Sequence, residues 1–293
     1  MRIALTLIAG AADRGLTGLA ASVAATLAIE AEPVWLAPDE ACDFIFDTLD
    51  PAAIARAGRG IVGNTPVDIL VQPAAGRPKR LLVADLESTV IENEMLDELA
   101  LILGIGPQVA EITRRAMNGE IDFISALETR VTLLAGIDTR ILDAAATQIR
   151  LTPGAPTLVA MMRRDGAMTA LVTGGFTIFA DRVATELGFD RVVANRLEVA
   201  AGRVTGKVLP PIVTGETKRE TLLTIAAERG IPLAETIAVG DGANDVPMLT
   251  IAGIGIAFRA KPAVAAAARW RLDHADLTGL LYAQGYRKAE FAA

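Results

Sequence analysis

Three uninterrupted apolar runs, each stopping on a polar side chain, constrain this chain more than any other feature. They are Arg80-Leu81-Leu82-Val83-Ala84-Asp85, Ala167-Met168-Thr169-Ala170-Leu171-Val172-Thr173 and Thr236-Ile237-Ala238-Val239-Gly240-Asp241. None of them alternates, as is expected of strands covered on both faces, and such strands belong to parallel sheets sandwiched between helices. Helical patterns at about 156–164, 176–187 and 218–229 separate or follow the runs, so the order of elements predicts a doubly wound parallel α/β sheet. In that architecture ligands bind beyond the carboxyl ends of the strands, which is where Asp85, Thr173 and Asp241 stand.

Between 94 and 150 no comparable strand occurs, and the pattern gives helices over 94–103, 106–117, 122–134 and 139–148. An all-helical insertion directly behind the first strand is placed to lie over the site as a cap. Ahead of the sheet, residues 1–72 read as strand, helix, strand, helix and strand, a small α+β unit. Residues 73–80 are rich in Pro, Gly and charge, as a linker should be. The predicted layout is a small domain at 1–72, a linker at 73–80 and a core at 81–293 carrying its cap at about 94–150. Met1-Arg2 followed by an apolar run superficially resembles a signal peptide, yet its basic part is a single Arg and Ile3 to Ile8 also reads as a buried strand. No stretch of about 18 uncharged apolar residues predicts a membrane span. The cytoplasm is the default expectation.

Composition narrows the chemistry. With 52% hydrophobic and 22% charged residues the chain is expected to fold, and with 4% aromatics it is a poor candidate for stacking nucleic-acid bases. Acidic residues outnumber basic ones 35 to 28, a net charge of −7 that disfavours polyanion partners. Cys42 is the single cysteine and His274 the single histidine, which excludes an intramolecular disulfide and a Cys/His zinc site. Carboxylates, hydroxyls, lysine and backbone amides are left to do any chemistry, and His274 reads as structural.

The strand ends supply those groups. Asp85-Leu86-Glu87 sets two carboxylates two residues apart, on one side of the chain while it stays extended; alternatively Asp85 caps the following turn. Thr173-Gly174-Gly175-Phe176 offers a hydroxyl and close backbone approach ahead of a helix, or a plain turn. Gly240-Asp241-Gly242-Ala243-Asn244-Asp245 gathers two carboxylates and an amide, hard oxygen donors of the kind Mg²⁺ takes, or else a structural turn. Lys218 opens a helix between the last two ends. Phe123, Leu127 and Arg130 share one face of a cap helix, which turns Arg130 inward beside an apolar patch or leaves it solvated.

Together these features resemble the haloacid dehalogenase superfamily of aspartate-nucleophile phosphotransferases and, within it, the phosphoserine phosphatases. The resemblance runs from about Leu81 to Leu277. It is carried by 85–100, by Ala116-Met117-Asn118-Gly119 through Arg130-Val131, by Thr173 to Phe176, by Ala194-Asn195-Arg196-Leu197-Glu198 and by Gly240 to Met248. It implies that Asp85 is the nucleophile, forming an aspartyl-phosphate, and that Glu87 is the acid and base. It further implies Mg²⁺ held by Asp85, the main-chain carbonyl of Glu87 and Asp241, with Asp245 behind them. Lys218, Thr173, Gly174 and Asn244 would bind the transferring oxygens, Glu94 the substrate ammonium and Arg130 its carboxylate, with Met117 and Phe123 packing nearby. The implied partner is a small molecule, phosphoserine, with no nucleic acid and no membrane, and a homodimer is the assembly to test. The unit at 1–72 resembles, by element order, small ferredoxin-like βαββαβ regulatory domains.

Three positions depart from the family pattern. Glu87 replaces the second Asp of Asp-x-Asp and adds a methylene, Thr173 replaces a commoner Ser, and Thr214 stands where relatives have Asp. Two other readings stay open at this stage. One is a relative acting on another small phosphomonoester or passing the group to an alcohol; the other is an amino-acid-binding regulatory protein weakened by Glu87.

Overall fold

A computed structural model describes residues 1–10, 15–117 and 120–291, without the side chain of Met117. The first sheet has four strands, β1 (Arg2–Ala9), β2 (Val34–Ala37), β3 (Ala41–Asp47) and β4 (Val67–Pro73), in the order β2-β3-β1-β4. All its pairings are antiparallel, and helices Leu16–Thr26 and Pro51–Val62 complete a βαββαβ unit. The central strand β1 is apolar without alternation because both its faces are covered. Ile3, Leu5 and Leu7 pack with Leu16, Val23 and Phe44, whereas Ile8 joins the interior of the larger domain. β3 is absent from the sequence expectation. Its Asp43, buried here, interrupts the apolar run and is stabilised from a distance by Arg77.

The second sheet has seven strands: β5 (Leu81–Ala84), β6 (Met168–Phe176), β7 (Arg191–Ala200), β8 (Arg203–Leu209), β9 (Thr236–Gly240), β10 (Ile254–Phe258) and β11 (Trp270–Leu272). Their order is β11-β10-β9-β5-β6-β7-β8, parallel except for the β7–β8 hairpin at one edge. The three predicted runs form the adjacent strands β9, β5 and β6. In β5, Leu81 and Val83 enter one apolar cluster and Leu82 and Ala84 the other, the two-sided burial that a continuous run implies. Chain order reverses around β5, so the crevice at its carboxyl end is the expected binding position.

The cap consists of helices Met95–Leu103, Gly106–Met117, Phe123–Thr132 and Thr139–Ala146. It also leans on the unpredicted hairpin: the Gly136 N–H donates to Val204 O at 2.8 Å and the Val204 N–H to Ile137 O at 3.0 Å. Gly206 (φ +87°) lies so close beneath that a Cβ there would come within 2.9 Å of Ala135 Cβ.

The segment at 73–80 is more tightly held than its composition suggests. Arg77 is buried, pairs with Asp43, and donates to Tyr282 O (2.8 Å) and Ala283 O (3.0 Å). Lys79 Nζ donates to Gly76 O and Ala234 O at 2.7 and 2.8 Å. Asp68 of β4 accepts the main-chain N–H groups of Asp273, His274 and Ala275 at 2.7, 3.1 and 2.8 Å. His274 thus takes part in the junction through its backbone. Among the described residues no helix is long and apolar enough to cross a membrane.

Candidate active site

β5 delivers Asp85 and Glu87 on extended backbone (ψ 159° and 140°) before Ser88 turns into the left-handed region at φ +52°. Asp85 caps the following turn and also lines a cavity. Its Oδ1 accepts the Leu86 N–H at 2.8 Å, capping the turn, and faces Lys218 Nζ at 2.7 Å. Lys218 is wholly buried and reaches Asp245 Oδ1 at 2.7 Å as well. It sits in the first turn of helix Gly215–Glu228, three residues inside the helix start. Thr214 caps that helix through a reciprocal exchange with Thr217, so this position supplies a capping oxygen.

Asp241 and Asp245 follow β9. Asp245 Oδ2 accepts the Gly242 N–H at 2.9 Å, and Gly240 leaves the room: a Cβ there would lie 2.3 Å from Asp245 Cγ. Asp85, Asp241 and Asp245 each bring one carboxylate oxygen within 4.8 Å of the others. Burial, and next the charge of Asp85, push the Asp241 carboxyl up to about 6, with Lys261 opposing. The same two causes push Asp245 up to about 7 against the pull of Lys218. Burial lowers the pKa of Lys218, but Asp85 and Asp245 outweigh it and the net direction is upward. Three carboxylates face one buried ammonium and the exposed Lys261, 3.9 Å from Asp241, so the cluster keeps a net negative formal charge. An oxygen-ligated divalent cation fits both the donor set and that charge.

Thr173 is buried at the end of β6, its Oγ accepting the Gly175 N–H at 2.8 Å. This last part of β6 is fixed from behind by the buried Asn195, which donates to Gly174 O at 2.7 Å and accepts the Val213 N–H at 2.8 Å. Asn195 lies in a stretch that sequence reasoning had noted, but nothing in one sequence gives its side-chain direction. Phe123 stands over Gly174, 3.6 Å from where a Cβ would be.

On the cap side, Glu94 Oε1 accepts a hydrogen bond from Ser88 Oγ at 2.7 Å. Glu87 Oε1 accepts the Met95 N–H at 2.9 Å. Burial first, then the neighbouring charges of Glu94 and Asp85, push the Glu87 carboxyl up to about 8. Arg130 is part-buried on the same helix as Phe123 and Leu127, its Nε 3.3 Å from Ala126 O.

A single cavity of about 180 Å³ collects Asp85, Glu87, Glu94, Phe123, Arg130, Thr173, Gly174, Asp241 and Asn244. Lys218 and Asp245 lie behind its wall, both fully buried, and the Met117 side chain lies outside the described residues. The cavity also includes Gly175, from the Thr173–Phe176 stretch noted in the sequence, and Lys261, which sequence reasoning missed. Lys261 follows β10, a fourth apolar run with a polar exit (Ile254–Phe258), and that signal was available.

The haloacid dehalogenase-like hydrolase family profile matches residues 82–250. A phosphoserine phosphatase of Streptomyces coelicolor is 44% identical over 78% of this chain and 56% of its own length. Another, from Lactococcus lactis, is 47% identical over 69% of this chain and 94% of its own. The chain thus spans just over half the length of some curated relatives and nearly all of others. In structure it is similar to a haloacid dehalogenase-family hydrolase of Salmonella enterica serovar Typhi, with TM-score 0.88, 27% identity and 99% of each chain covered. With carboxylate-bearing strand ends, an acidic cluster around a buried lysine and a helical cap on this sheet, the chain belongs to the haloacid dehalogenase-like hydrolase family.

Proposed function

We propose that this chain is a magnesium-dependent phosphoserine phosphatase, hydrolysing O-phospho-L-serine to L-serine and phosphate through an aspartyl-phosphate on Asp85. One observation carries the reading. The cavity that presents Asp85 and the acidic cluster also presents one carboxylate and one guanidinium from the cap side, Glu94 and Arg130, a match for the ammonium and carboxylate of phosphoserine. The names of the curated relatives support it.

In this mechanism Asp85 Oδ1 is held by Lys218 and the Leu86 N–H, which leaves Oδ2 to attack. An Oδ2–phosphorus bond forms as the bond from phosphorus to the serine oxygen breaks. The departing oxygen takes its proton from Glu87, whose raised pKa keeps it protonated at neutral pH. Glu87 then removes a proton from water, the water oxygen bonds to phosphorus, and the phosphorus–Oδ2 bond breaks to restore Asp85. Thr173, the Gly174 N–H and Asn244 hold the transferring oxygens, and Lys218 supplies fixed positive charge from beneath. Mg²⁺, held by Asp85, the Glu87 carbonyl and Asp241 with Asp245 behind, would offset the repulsion between carboxylate and phosphate dianion. Phe123 packs against the serine moiety.

The same reading assigns the chain to L-serine biosynthesis in the cytoplasm, with 1–72 as a regulatory-like unit, 73–80 as its tether and 81–293 as the phosphatase. A homodimer is checked by light scattering. The decisive experiment measures phosphate release from L-phosphoserine with Mg²⁺. Turnover by the parent and none by Asp85→Asn is the expected result, and a parent that releases no phosphate overturns the reading.

A further inference from the structure

The first cap helix, Met95–Leu103, has no local N-terminal cap. Its N-cap residue, Glu94, makes no side-chain bond to the helix and is engaged by Ser88 instead. The opening N–H groups of a helix have no intrahelical acceptor, and Met95 is wholly buried, so its N–H is shielded from water. The acceptor it finds is Glu87 Oε1 at 2.9 Å, a residue of the nucleophile loop.

The other oxygen of Glu87 rests on Gly175. A Cβ at 175 would lie 2.8 Å from Glu87 Oε2, 3.0 Å from its Cδ and 3.2 Å from Thr173 Oγ1, closer to the carboxylate than packed atoms sit. The Glu87 side chain is therefore seated between the end of β6 and the root of the cap. An Asp at 87 is shorter by one C–C bond, about 1.5 Å, and from the same backbone would not span that gap.

We propose that Glu87, beyond its part in proton transfer, is the clamp joining the cap to the core, and that Glu87 and Gly175 are a matched pair: the longer acid caps the first cap helix, and the missing Cβ opposite makes room for it. Glu87 is in this respect a positioning residue. Its activity arm rests on the phosphatase reading; its structural arm does not.

The test is residue-resolved amide exchange of the metal-free protein at one pH, for the parent, Glu87→Gln, Glu87→Asp, Gly175→Ala and the double variant Glu87→Asp/Gly175→Ala. Leaving a buried N–H without its acceptor is worth about a fivefold or greater change in opening. The Met95 amide is therefore expected to exchange at least ~5-fold faster in Glu87→Asp. In Glu87→Gln, which keeps an acceptor of the same length but cannot transfer a proton, Met95 stays protected while kcat collapses. Glu87→Asp raises KM for phosphoserine as well as lowering kcat, whereas Glu87→Gln leaves KM little changed. Gly175→Ala should match Glu87→Asp, and the double variant should be no worse than either single, because the shorter acid no longer meets the new Cβ. Equal Met95 exchange in the parent and Glu87→Asp overturns the clamp, and additive effects in the double variant overturn the pairing. Should Gly175→Ala not fold, the comparison of Asp with Gln at 87 decides. A parent without phosphatase activity removes only the kinetic arm, so failure of the clamp and failure of the proposed function are told apart.

Discussion

Replacing Lys218 by Met isolates the electrostatics of the site. Met keeps most of the length and apolar stem, so packing in helix Gly215–Glu228 is largely preserved. What disappears is an ammonium with no solvent exposure that lies 2.7 Å from both Asp85 and Asp245. Removing one partner of a buried ion pair costs about 3–5 kcal/mol, because the remaining charge is left desolvated and unpaired. Here one cation serves two carboxylates, so a loss of about 4 kcal/mol is expected at pH 8 without divalent cation. For a chain of this size that lowers Tm by roughly 8–16 °C. The sign of the pH dependence follows from which groups titrate. Lys218 has a raised pKa and stays charged through the neutral range, so the parent does not lose this contribution there. In the variant Asp245, already raised, loses the pull of Lys218 and binds its proton more tightly folded than unfolded, so stability falls as pH rises above about 4. Thermal melts followed by circular dichroism in chelator, at pH 5.5 and pH 8, should show the deficit shrinking on acidification. A variant melting within about 2 °C of the parent at pH 8, or a deficit that grows at pH 5.5, would refute the reasoning.

Three further outcomes are expected. The metal-free parent should lose stability between pH 5 and pH 8, because Asp241 and Asp245, raised to about 6 and about 7, bind protons in the folded state that the unfolded chain has already released. Millimolar Mg²⁺ should then raise Tm more at pH 8 than at pH 5, and equal increments would contradict this. Arg130→Ala should raise KM for phosphoserine by roughly 10- to 100-fold, the worth of a hydrogen bond to a charged group, while leaving KM for phosphoethanolamine, which has no carboxylate, within about threefold. Asp68→Ala strips the acceptor from three main-chain N–H groups at the junction and should cost at least ~2 kcal/mol, read by urea denaturation, with Asp68→Asn recovering part of it.

Strands β9, β5 and β6 were legible because burial on both faces removes alternation, and their polar exits named three of the site's walls. The elements that escaped notice carry charge that only tertiary contacts neutralise. β3 contains Asp43, tolerable inside a sheet because Arg77 arrives from 34 positions later. The β7–β8 hairpin includes Arg196, Glu198, Arg203 and Lys207, which reads as solvated surface; its purpose is to carry the cap. Arg77 itself stands in a Pro- and Gly-rich stretch, so composition marked as a loose tether a residue whose donors are spent on buried acceptors. Within the site, the motifs located Asp85, Thr173 and Asp241, but not how Glu87 is seated, since that depends on the absence of a side chain at Gly175, 88 positions away.

The junction made by Asp68, Arg77 and Trp270 also determines where this chain tolerates being cut. The indole N–H of Trp270 donates to Val71 O at 2.9 Å, and Ala283 O receives both Gln72 and Arg77. Ile8, Leu36 and Leu70 belong to the same apolar cluster as Ile237 and Phe258. A catalytic fragment started at residue 81 would uncover that cluster and leave the indole of β11, and the three amides that follow it, lacking their acceptors. A stable minimal enzyme therefore needs redesign of the β11 edge, with polar side chains or a substitute strand in place of β4, and simple excision would yield a sticky, self-associating core.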